Sequence, residues 1–163
     1  MADNNLFPGQ SLIKTAARGL ALAAAIAVAS TAAAELQLVP LEDYLSQNHI
    51  GGDPAAMAYV AKRCAAWYLV FAKGLEGETD PARQQALRQA DAKAEKFLEF
   101  ATKLEMSGRT IDPQTSLAHV KDGVVAIAKL YQNRIDHAQN LTGNMFSDPL
   151  LAGDLKICGA LAA

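Results

Sequence analysis

Two cysteines and three histidines are the side chains of this 163-residue chain best suited to redox or metal chemistry. Cys64 and Cys158 fall on the inward faces of two expected helices and are read as a disulfide, since an even cysteine count in an exported chain usually forms bridges. The alternative is two free thiols acting as small buried apolar groups. Redox catalysis is disfavoured because there is no C-x-x-C pairing, and covalent haem would need C-x-x-C-H, a context neither cysteine has. Di-metal helical bundles use Glu-x-x-His pairs. Three positions before His49, His119 and His137 stand Ser46, Ser116 and Arg134. His119 and His137 share one helix face but are separated by roughly 27 Å at 1.5 Å rise per residue, too far to bind one ion. They read as solvated surface residues.

Other chemistries are equally thin. The stretch His119-Val120-Lys121-Asp122-Gly123 resembles a histidine phosphotransfer motif only in part: its lysine is displaced by one position, and such domains work in the cytoplasm. Glu95 and Glu99 share a helix face, but charged neighbours make that face a solvated one. The chain has no G-x-S-x-G, no H-E-x-x-H and no phosphate-cradling glycine loop. Asn140-Leu141-Thr142 matches a glycosylation acceptor, which carries no weight in a bacterial chain. No catalytic, cofactor-binding or metal-ligating residues are assigned, no cofactor is expected, and an enzyme is not.

The elements that must position these residues are marked by one dipeptide. Asp-Pro occurs at Asp53-Pro54, Asp80-Pro81, Asp112-Pro113 and Asp148-Pro149, each time ahead of apolar residues at helical spacing. Aspartate at an N-cap accepts from free backbone N–H groups and meets the positive end of the helix dipole. Proline suits the next position, whose N–H has no intrahelical partner. The pattern predicts helix A from Pro54 to about Lys73, helix B from Pro81 to about Met106, helix C from Pro113 to about Gln139, and short helix D from Pro149 to about Leu161. Inward stripes run through Met57, Val60, Cys64, Trp67 and Phe71; through Leu87, Ala90, Ala94, Phe97 and Ala101; through Val120, Val124, Ile127, Tyr131 and Ile135; and through Leu151, Leu155 and Cys158. Gly123 interrupts helix C at a cost of about 1 kcal/mol relative to alanine if exposed. Leu41 to Gln47 is expected to add a turn or two. The fold class is all-α: an up-and-down four-helix bundle over residues 53–163, preceded by an extended or short helical lead-in at 35–52.

Ahead of that domain the chain has the form of an export signal. Lys14 and Arg18 precede an uncharged run from Gly19 to Ala29, and Ala32-Ala33-Ala34 offers an A-x-A cleavage pattern. A spanning helix needs about 20 apolar residues, whereas sixteen, mostly alanine, separate Arg18 from Glu35. Residues 1–34 are therefore read as a cleaved signal peptide, with a retained anchor as the alternative. Removing them takes the formal charge from −2 to −3. That balance disfavours nucleic acid and anionic membrane surfaces, both bound through clustered Lys and Arg. A bacterial periplasmic or secreted protein is expected, with no membrane insertion after cleavage.

Helix A is the odd element, since Lys62, Arg63 and Lys73 are its only charged residues. Tyr59, Ala66, Leu69 and Val70 fall away from its main stripe. A helix apolar nearly all round is either central to its domain or turned to a partner, so these four are the candidate partner surface, for another protein or a second copy. Function is read accordingly: an exported, non-enzymatic helical protein acting through protein binding, as an accessory, chaperone-like or inhibitor/immunity-type factor. The alternative is a small subunit of a membrane complex, held by an uncleaved N-terminal anchor.

Overall fold

The computed structural model describes residues 38–48, 52–107 and 109–163. The leader expected at 1–34, His49 and Gly108 lie outside the described residues. What is described is all-helical: α1 (Leu41–Gln47), α2 (Pro54–Gly74), α3 (Pro81–Met106), α4 (Pro113–Thr142) and α5 (Pro149–Leu161), with a 3-10 turn at Met145–Ser147 between the last two. None of these helices is long and apolar enough to cross a membrane.

The four Asp-Pro pairs are helix starts. Asp53 accepts from the Ala55 N–H and Asp80 from that of Arg83. Asp112 accepts from the Gln114 and Thr115 N–H groups and the Thr115 hydroxyl, and Asp148 from the Leu150 and Leu151 N–H groups. Each carboxylate satisfies donors that the first helical turn leaves free. Those three hydrogen bonds hold the Asp112 carboxyl below its ordinary range, with Thr115 the main cause. At the far end of α4 the chain runs three residues past Gln139 and stops where Gly143 turns left-handed, at φ 72°, donating its N–H to the Gln139 carbonyl at 2.8 Å. A side chain at that φ would be strained, whereas glycine is not.

Packing places α2 in the middle, against α3, α4 and α5. Buried alanines recur on both α2 (Ala58, Ala61, Ala65, Ala72) and α3 (Ala90, Ala94, Ala101), and the Tyr68 and Phe97 rings stack between the two helices at 6.0 Å. Where α2 meets α5, Trp67 is 2% exposed and its indole N–H donates to the Leu151 carbonyl at 3.1 Å. Beside it Cys64 and Cys158 form a disulfide with Cα atoms 5.3 Å apart, both residues wholly buried. At Gly123 of α4 a Cβ would stand 3.2 Å from the Lys62 side chain, whose amine goes on to pair with Glu105 at 2.8 Å. The glycine that weakens α4 thus leaves room for an ion pair joining α2 to α3.

The short α1 is part of this packing. Leu41 is fully buried, and the helix lies against α5, with the Tyr44 and Tyr59 rings 4.6 Å apart. A seven-residue helix does not persist by itself in water, so α1 depends on these contacts.

Candidate binding cleft and buried charge network

The four residues singled out on α2 do not make one open face. Ala66 and Val70 are buried in the core, Tyr59 is half-buried against Tyr44, and Leu69 is 36% exposed. The apolar back of α2 is covered largely because α2 is the central helix, with neighbours on more than one side. His119 and His137 are both exposed. Among the described residues, no three His, Cys, Asp or Glu side chains converge where they could hold a metal ion.

The feature that charge counting misses is Arg63. It points inward and is wholly buried, as is Asp154 at 1% exposure. Its Nη2 donates to Asp154 Oδ2, its Nη1 to the Val39 carbonyl, and its Nε to the Tyr131 hydroxyl at 3.1 Å. Tyr131 passes a hydrogen bond on to the same Asp154 oxygen, while Asp154 Oδ1 accepts from the Leu41 N–H at 2.8 Å. The rings of Tyr131 and Tyr59 flank the guanidinium at 5.6 and 5.9 Å. Among the described residues no buried side-chain nitrogen or oxygen lacks a partner.

Each member of the network has a specific task. The residue before α1 is Pro40, which offers no side-chain cap. Asp154 takes its place, bonding the first helical N–H from another helix and meeting the positive end of α1. Burial disfavours the charged form of Arg63, but Tyr131 and Asp154 outweigh it, so its pKa rises above the ordinary value. Burial, reinforced by the Asp154 charge, pushes the Tyr131 phenol far above its usual range. With the carboxylate occupied by three donors and the whole group withdrawn from water, the arrangement is a tie between α1, α2, α4 and α5. Spacing alone could have marked Arg63 and Asp154 as inward, though not as partners. Arg63 stands three residues after Val60 and four before Trp67, and Asp154 lies between Leu151 and Cys158 at the same intervals, so both are on inward stripes.

A second feature opens to solvent. Between α1, α2, α3 and α5 lies a cleft of about 520 Å³. Its apolar walls include Leu45, Met57, Val60, Phe97, Phe100 and Leu161. Phe100 and Leu161 are 44% and 56% exposed, and they stand among the few large apolar side chains left open to water. The charged side chains in the lining are Lys93 and Lys96, both from α3. Lys93 is half-buried, with its amine 5.3 Å from the centre of the Tyr68 ring, and Lys96 is exposed. Phe100 lies off the inward stripe of α3, which is why periodicity did not single it out. A concave, mostly apolar site of this volume with a few polar groups is the form that small-ligand sites take.

Compared with known proteins, the chain matches no family model, no curated sequence and no solved structure.

Proposed function

We propose that this is an exported, non-enzymatic helical protein that works by binding, and that the cleft between α1, α2, α3 and α5 is where it binds. The cleft carries the reading: it is concave and mostly apolar, and it brings two of the exposed large apolar side chains, Phe100 and Leu161, to one opening. Accessory, chaperone-like and inhibitor-type roles are all of this kind. Export is supported by the leader at 1–34 and by the buried Cys64–Cys158 bridge, a bond that persists in oxidising compartments. The same reading takes the three long helices as running up and down, joined by short connections, with α5 closing a four-helix bundle and α1 laid across its end.

A neutral apolar fluorophore, N-phenyl-1-naphthylamine, tests the binding site. Saturable binding at one per chain is expected, lost in Phe100→Glu with the helical circular dichroism unchanged. No saturable binding, or binding that Phe100→Glu leaves intact, overturns the assignment. The N-terminal sequence of the protein from its own cells tests export separately. Glu35 as first residue is expected, and an intact N-terminus would favour the membrane-anchored alternative.

A further inference from the structure

Resting on that reading of the cleft, we infer that its occupant is a single-chain amphiphile with an anionic head, a long-chain alkyl carboxylate, whose head lies against Lys93 and Lys96. The first reason is what the walls lack. Apart from the last turn of α5 and Ala162 and Ala163 they are helices, whose mid-helix backbone groups are bonded internally, and the side chains among them that offer polar atoms are the two amines. An extended peptide laid there would bring amide groups into an apolar slot without partners, each an unfavourable transfer. An alkyl chain brings none.

The second reason is charge. Lys93 and Lys96 are three residues apart on one helix, so their side chains leave from the same face. Among the described residues neither takes part in an ion pair, whereas Lys62 and Lys103 do. Asp91, Glu95 and Glu99 of the same helix are exposed and none of them lines the cleft. Two adjacent ammonium groups outside any ion pair repel, and an anionic head between them relieves this. The Tyr68 ring beneath Lys93 holds one of the pair in place. The third reason is the open apolar area at Phe100 and Leu161, which an alkyl tail would cover without a second protein surface.

Displacement of N-phenyl-1-naphthylamine from the full exported chain tests the assignment, with every competitor kept below its micelle concentration. Decanoate, dodecanoate and tetradecanoate are expected to compete in that order, with affinity rising about fourfold per added methylene, as about 0.8 kcal/mol per buried methylene implies. Each carboxylate should compete at least tenfold better than the alcohol of equal length, and the matching alkyltrimethylammonium worse than the alcohol. The double variant Lys93→Gln/Lys96→Gln should bring carboxylate and alcohol to equal competition, each measured against the variant's own fluorophore affinity. A carboxylate advantage that survives it overturns the assignment of the head to these amines. Equal competition by carboxylate, alcohol and ammonium overturns the anionic head. A missing chain-length trend overturns the alkyl tail, and vesicles of phosphatidylglycerol that compete as well as free carboxylate overturn the single-chain form. In each of these cases fluorophore binding survives, so the cleft stands as a binding site and only its occupant changes. Failure of the fluorophore itself to bind removes the site and this inference together.

Discussion

Arg63 and Asp154 form an ion pair with both side chains withdrawn from water, across 91 residues of sequence. Cys64 follows Arg63 directly and Cys158 lies one turn after Asp154, so α2 and α5 are joined by a covalent and an ionic tie side by side. The two ties differ in kind. A buried pair of charges is not stabilising merely by being present, because desolvation offsets the attraction, yet removing one partner leaves the other charge buried and uncompensated.

Single and double replacements at this pair therefore have different expected outcomes. Arg63→Met or Asp154→Asn alone should lower unfolding free energy by about 3–5 kcal/mol in urea titrations. The double variant Arg63→Met/Asp154→Leu should lose clearly less than the sum of the singles, because no charge is stranded. Asp154 also bonds the first N–H of α1, so hydrogen exchange in residues 41–47 should accelerate in each variant that removes the carboxylate. Additive losses in the double variant would mean that the two charges are not coupled.

The helix starts were legible because each is set by local chemistry. Asp53, Asp80, Asp112 and Asp148 cap their own first turns, and such caps need no tertiary context. The disulfide was legible through the even cysteine count and stripe position, and Tyr131 through its place between Ile127 and Ile135. In the sequence Arg63 is one of three charges on an apolar helix, and no local pattern marks Asp154 as its partner. A charge on an inward stripe has meaning only beside its partner, and that partner lies on the last helix. The cleft depends on where the ends of α1 and α5 come to rest against α2 and α3, which periodicity within one helix does not encode. Phe100 and Lys96 therefore looked like ordinary surface positions. Of the four residues taken as a partner surface on α2, Ala66 and Val70 are buried in the core, which accounts for their apolar character.

The Cys64–Cys158 bridge closes a loop with a sequence separation of 94. The chain-entropy model assigns such a loop about 4–5 kcal/mol of stabilisation, with the mechanism disputed. Cys64→Ala/Cys158→Ala should lose an amount of that order in urea titrations, and its earliest exchanging amides should be those of α5, a helix of thirteen residues. Because both residues are wholly buried, reductant should open the bridge only as fast as α5 detaches. Alkylation of the native protein should find no free thiol, and mild reductant should yield two thiols slowly, accelerating with low urea. Immediate reduction without urea would show that α5 is not held by its packing.

Tyr131 gives the protein an alkaline limit whose sign follows from its surroundings. Burial is the main cause of its raised pKa and the Asp154 charge adds to it, while Arg63 pulls the other way without prevailing. In the unfolded chain the phenol titrates near its ordinary value of about 10. Below that pH both states keep the proton, and stability does not depend on it. Above it the unfolded chain releases the proton and the folded one retains it, so stability falls by about 1.4 kcal/mol per pH unit until the folded phenol ionises too. Tyr44, whose pKa is also raised, chiefly by burial, adds a slope of the same sign. Comparing the wild type with Tyr131→Phe cancels the Tyr44 contribution. The variant should be less stable at neutral pH, having lost two buried hydrogen bonds, yet its urea midpoint should decline less steeply between pH 10 and 11. Phenolate absorbance should confirm this: in the wild type one tyrosine should ionise only as the helical signal is lost. Equal slopes in the two proteins would mean that Tyr131 reaches solvent in the folded state, and the tie between α4, α2 and α5 would then be open to water.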